Sequence, residues 1–159
     1  MKAIGVKELK TELSHCSNSE LIELVLRLSK FKKENKELLS YLLFEAENED
    51  GYISRIKMEI DNQFEMINIK TYYFIKKSVR KILRTIKTYI RYSKNKETEV
   101  ELLLYFCKKL SELNPSIKSN NVLLNLFNRE LESIKKKIIF LHDDLQYDYN
   151  LEIESIEHS

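Results

Sequence analysis

Residues 72–92 read YYFIKKSVRKILRTIKTYIRY. Ile75, Val79, Ile82, Ile86 and Tyr89 recur in alternating steps of four and three, with lysine and arginine filling the positions between. Apolar residues at that cadence line one side of an α-helix and need a neighbouring helix to cover them. Placed at about 100° per residue, Ile75, Val79, Ile82, Leu83, Ile86 and Ile90 form one stripe. Lys77, Arg80, Arg84, Lys87 and Arg91 cluster on another face, flanked by Lys76 and Lys81. The segment therefore predicts a helix that buries one side and presents cations on the other.

The same reading extends in both directions. Apolar spacing predicts a short helix over Val6–Leu13. A second, opened by the capping-box pair Ser17 and Glu20, runs toward Leu28. Further helices are expected over about 33–47, 52–67 and 97–113, with Gly51 at one join. Asn114-Pro115 supplies a cap and first turn for the last long helix, with Ser119-Asn120-Asn121 as the other candidate start. In that helix Leu124, Phe127, Leu131, Ile134, Ile138, Leu141 and Leu145 keep the three–four alternation. The tail beyond Gln146 reads as a short helix or a frayed end. Two glycines and one proline in 159 residues leave too few turn-formers for a sandwich, a small barrel or a glycine-rich phosphate-binding α/β fold. The expected fold is all-α, with about six to eight helices in a bundle or a fragment of an α-α superhelix.

Residues 27–41, RLSKFKKENKELLSY, and 91–105, RYSKNKETEVELLLY, agree at eight of fifteen positions across an offset of 64. Ordinary residue frequencies give roughly one such identity. The pattern predicts a duplicated three-helix unit, about 14–70 and 71–142, followed by an acidic tail over 143–159, all in one helical domain. The repeated Glu-Leu-Leu-x-Tyr would turn two leucines inward and leave a tyrosine hydroxyl near the surface. The runs 29–39 and 89–99 resemble segments of small uncharacterised bacterial helical proteins, and the likeness extends over about half the chain. The repeat logic is similar to armadillo and HEAT proteins in architecture. Both resemblances imply a helical fold and carry no activity or binding residue with them.

Charge is distributed unevenly. Residues 1–65 hold ten basic and thirteen acidic side chains, 66–96 hold ten basic and none acidic, and 97–159 hold seven and twelve. The total of +2 thus hides a strongly basic helix, 70–96. Its cationic face admits three readings. It binds nucleic acid by displacing counterions from phosphates; it meets acidic surface in the same protein or a second copy, with the tail as one source; or it is a solvated face. Tyr72, Tyr73 and Tyr92 stand near its ends, where an exposed ring can stack on a base or an arginine. Arg27, Lys30 and Lys32, with Lys94 and Lys96 in the second segment, form matched basic turns that oppose the negative ends of helix dipoles.

Chemistry-bearing clusters are scarce. Glu12 and His15 have the spacing of di-iron bundles without the further ligands those need, and His15-Cys16 lacks a second pair. His142-Asp143 lacks neighbouring histidines, and no nucleophile elbow, Walker loop or dinucleotide fingerprint occurs. Neither an enzyme, a metal nor a cofactor is expected. With no apolar run of membrane-spanning length, no leader-like h-region in Met1–Glu12 and two distant cysteines, Cys16 and Cys107, the expectation is a cytoplasmic protein without a transmembrane segment. The expected role is that of a non-enzymatic interaction or scaffold protein, self-associating or bound to an acidic or protein partner. Nucleic acid held by the basic helix is the alternative.

Overall fold

Ser17 opens a helix as its spacing implies: its hydroxyl accepts from the Glu20 N–H while the Glu20 carboxylate accepts from the Ser17 N–H. The computed structural model describes all 159 residues, in eight α-helices and no strands. They are α1 (Val6–Ser14), α2 (Asn18–Phe31), α3 (Lys33–Ser40), α4 (Glu49–Glu65), α5 (Tyr72–Ser93), α6 (Lys96–Ser111), α7 (Asn121–Ile138) and α8 (Asp143–Glu157). No helix is long and apolar enough to cross a membrane.

The chain divides into two compact units, Met1–Phe44 and Glu45–Ser159. In the first, α2 packs on α3, and the Asn35 side-chain amide donates to the Leu28 carbonyl at 2.8 Å, tying the end of one helix to the start of the next. Ser29 and Tyr41 are its only buried side chains. The helix expected over 33–47 stops at Ser40 and continues as a single wide π-type turn, Tyr41–Glu45.

The second unit is organised around α6, which packs against α4, α5, α7 and α8. Val100, Leu102, Leu103, Leu104, Phe106, Cys107 and Leu110 are all buried, because a helix that is apolar nearly all round must be enclosed. Ile53, Ile56, Ile60 and Phe64 of α4 and the predicted stripe of α5 close on it, with Phe64 and Phe106 rings 5.9 Å apart. From α7 the buried apolar set is Leu123, Leu126, Phe127, Leu131, Ile134 and Ile138, and from α8 Tyr149, Ile153 and Ile156. Hence Leu123, not Leu124, carries the first turn of the α7 seam, and Leu141 and Leu145 lie beyond that helix's end. The face α7 turns inward is broader than a two-position heptad seam.

Helix starts follow side-chain caps. Asn120 caps α7 through the Leu123 N–H, so the later of the two candidate starts is used, and a 3₁₀ turn capped by Ser116 precedes it. Asn48 caps α4 by accepting from the Gly51 N–H. Gly51 thus sits inside the first turn rather than at a join, and a Cβ there would lie 2.5 Å from the Asn48 amide.

The two look-alike segments are not placed alike. The division at 44/45 falls within the expected first unit, 14–70, and not between it and 71–142. The helix break lies at Lys32 in the first segment but at Lys94 and Asn95 in the second, where residues 30 and 31 would correspond. Leu38 is exposed, whereas Leu102 is fully buried.

Candidate functional site

Thr71 starts α5 by accepting from the Phe74 N–H, and Asn95 starts α6 by accepting from the N–H groups of Glu97 and Thr98. Between the two helices Lys94 takes a left-handed conformation, φ 54°, which reverses the chain within two residues. α5 is thereby laid along α6 with Ile75, Val79, Ile82, Leu83, Ile86 and Ile90 inward. Lys77, Arg80, Arg84, Lys87 and Arg91 then fall on the outer side, where all five are exposed.

α7 also packs on α6, and a groove of about 700 Å³ opens between α5 and α7. Arg80, Arg84, Lys87 and Arg91 come from α5, Arg129 and Lys137 from α7, and Leu83, Leu103 and Leu126 contribute apolar surface. Glu99 is the one carboxylate lining it. Lys77 lies one turn before Arg80 and outside the groove lining.

The groove's cations are of two kinds. Lys87 Nζ lies 3.0 Å from Oε1 of Glu130, a carboxylate only 2% exposed, and Lys137 Nζ lies 2.8 Å from Glu99. Both lysines are internal counter-ions. Arg80 and Arg84 have no carboxylate partner, Arg91 reaches only the Thr88 hydroxyl at 3.4 Å, and Arg129 stands 3.9 Å from Glu130 with most of its side chain in solvent. The free positive charge is carried by guanidinium groups, which present forked donors to phosphate or carboxylate oxygens. Burial raises the Cys107 thiol well above its usual range, and the nearby Glu130 carboxylate adds to the shift, so this cysteine is an inert core residue.

The acidic tail does not cover this face. α8 packs on α6 and α7, and its Glu157 pairs with Lys135 of α7 at 2.6 Å, which raises the lysine's pKa. The carboxylate that meets an α5 cation, Glu130, comes from α7 instead.

The basic turns separate. Arg27, Lys30 and Lys32 are exposed in the first unit, where Lys30 lies within α2 and Lys32 joins α2 to α3. Lys94 and Lys96 belong to the second unit, and Lys96 Nζ rests 4.2 Å from the centroid of the Phe140 ring. His15 and Cys16 follow α1, His142 caps α8 through the Asp144 N–H, and no group of three His, Cys, Asp or Glu side chains is placed to hold a metal ion.

Sequence reasoning missed Arg129 and Lys137. Each is an ordinary surface residue of an amphipathic helix, and only the packing of α5 and α7 beside one another on α6 brings them to the α5 strip. Comparison with protein families, curated proteins and solved structures finds no match.

Proposed function

We propose that the chain is a non-enzymatic interaction protein whose second unit docks an acidic partner in the groove between α5 and α7. One observation carries this reading: Arg80 and Arg84 stand unpaired on a rigid helix wall, while the two lysines lining the groove, Lys87 and Lys137, already have carboxylates. A protein gains nothing in stability from unpaired surface guanidinium groups, but an incoming anion gains two forked, pre-positioned donors. The test is a pull-down with and without nuclease, beside a double variant, Arg80→Glu with Arg84→Glu. That variant should keep the wild-type melting temperature within about 2 °C, since exposed substitutions away from structural contacts cost within about 0.5 kcal/mol. It should lose the acidic partner. Retained binding in the folded variant would remove the groove from the account.

Self-association is the second part of the proposal, with a second copy of this chain as the occupant. What supports it is the first unit, where Leu28 and Phe31 are 63% and 78% exposed and only two side chains are buried. A segment of that size with so small a core gains from apolar contact with another copy. Its charges, eight basic and six acidic over residues 1–44, are balanced enough for two copies to meet. Sedimentation of the full chain across a dilution series should show a concentration-dependent dimer or higher species. A monomer at every concentration would remove this part and leave the groove untouched.

A further inference from the structure

Tyr73, Lys77, Arg80, Arg84, Lys87 and Arg91 follow one another in steps of four, three, four, three and four. On the single unbroken helix α5 they form one continuous stripe, the counterpart of the apolar seam on its other side. Tyr73 heads this stripe as a 66% exposed residue, and its one ring contact is an edge-on approach of Phe74 at 5.5 Å. The site thus combines a run of cations about 21 Å long, from Lys77 to Arg91 at about 1.5 Å per residue, with an open aromatic face at its end.

We propose that the acidic partner is a single strand of nucleic acid, whose phosphates follow the stripe and whose terminal bound base stacks on Tyr73. This rests on the reading of the groove as an anion-docking site and adds the partner's class. Three features favour a strand. The free cations of the groove are guanidinium groups, which bind phosphate oxygens through two parallel hydrogen bonds and also stack on bases. They stand on both walls, Arg80 and Arg84 facing Arg129 across aliphatic side chains, so the site receives a flexible chain between α5 and α7. The exposed ring has a role only where bases are unstacked, because a duplex keeps its base faces inside. Lys87, held by Glu130, sets the local charge without being free to follow the ligand.

The experiment is fluorescence anisotropy of the full-length protein with labelled 20-nucleotide oligo(dT) and oligo(U), a labelled duplex of 20 base pairs and a labelled polyglutamate of matched charge, each at 50 and 200 mM salt. At least one single strand should bind about tenfold or more tightly than the duplex and the polyglutamate, and weaken steeply with salt. The double variant Arg80→Ala with Arg84→Ala should weaken strand binding and lower the salt slope by about 1.4, at about 0.7 for each phosphate that an arginine no longer neutralises. Tyr73→Ala should weaken it about tenfold with the slope unchanged, the signature of missing stacking rather than missing charge, and Tyr73→Phe should restore it. Equal affinity for strand and duplex, or an indifferent Tyr73→Ala, would overturn the single-strand assignment. Binding of polyglutamate with no nucleic acid bound would overturn it too, while leaving the groove as a protein-docking site. If no polyanion binds at 50 mM salt, both readings fall together. The comparison of ligands on the wild-type chain needs no variant to fold.

Discussion

Residues 27–41 and 91–105 share Arg, Ser, Lys, Lys, Glu, Leu, Leu and Tyr at matching positions, yet they live in different surroundings. In the second segment Leu102 and Leu103 are sealed inside α6, which four helices surround. In the first, Leu38 is 37% exposed and α3 packs on α2 within a unit that has almost no core. The tyrosine of the second segment donates to Asp61 at 2.6 Å, and Lys109 approaches the same carboxylate at 3.3 Å. Similar residues in similar order are thus a structural keystone in one place and a lightly held surface helix in the other. Apolar burial depends on how many neighbours arrive, and a local pattern does not contain that number.

The sharpest way to break this comparison is to truncate matching leucines. Leu102→Ala should cost about 2–5 kcal/mol by leaving a void in a closed core, whereas Leu38→Ala should cost under about 1 kcal/mol. Urea denaturation of both variants checks this, and equal losses would mean that the two segments are held alike.

Next is the second segment's tyrosine. Desolvation, with the hydrogen bond to Asp61 and the charges of Asp61 and Glu112, pushes the Tyr105 hydroxyl up to about 12 from its usual 10. The neutral phenol is therefore the form the fold favours. Its contribution is complete below pH 10 and is lost as the pH climbs through about 12. Tyr105→Phe should cost about 1 kcal/mol at pH 8. The gap to wild type should shrink progressively in denaturation curves taken at pH 10, 11 and 12. A gap constant with pH would show that the hydroxyl does not sense its ionisation.

The smallest effect is one of sign. Lys94→Gly should stabilise by about 0.5–1 kcal/mol, because lysine is strained at a left-handed φ that glycine adopts freely. At the matching position Lys30→Gly should destabilise by a similar amount, about 0.5–1 kcal/mol, since Lys30 is helical. Opposite shifts in melting temperature would confirm that the chain turns at different places in the two segments. Shifts of the same sign would reinstate a common turn.

Much of the fold was legible because its signals are local. The Ser17–Glu20 capping pair, the α5 stripe and the near absence of glycine and proline act within a turn or two of helix, so they place helices without knowledge of neighbours. The outward placing of Lys77, Arg80, Arg84, Lys87 and Arg91 followed from the same periodicity, since the face opposite a buried stripe faces water. The central role of α6 was harder to see. An unbroken run such as Leu102-Leu103-Leu104 reads equally as one side of a helix or as a helix enclosed on every side, and no periodic contrast tells them apart. The start of α7 slipped from residue 115 to 121 because two good caps compete nearby and packing on α6 selects one.

By itself the amino-acid order determined that this chain is helical, where most helices begin, and that one of them carries ten uncompensated positive charges in and around it. Only tertiary structure decided which leucines are core, that Lys87 and Lys137 answer internal carboxylates while Arg80 and Arg84 stay free, and that α7 adds Arg129 to the same groove. Helix formation and amphipathicity are short-range and are written in neighbours along the chain. Burial and ion pairing depend on through-space distances between residues that, like Lys87 and Glu130, lie 43 positions apart.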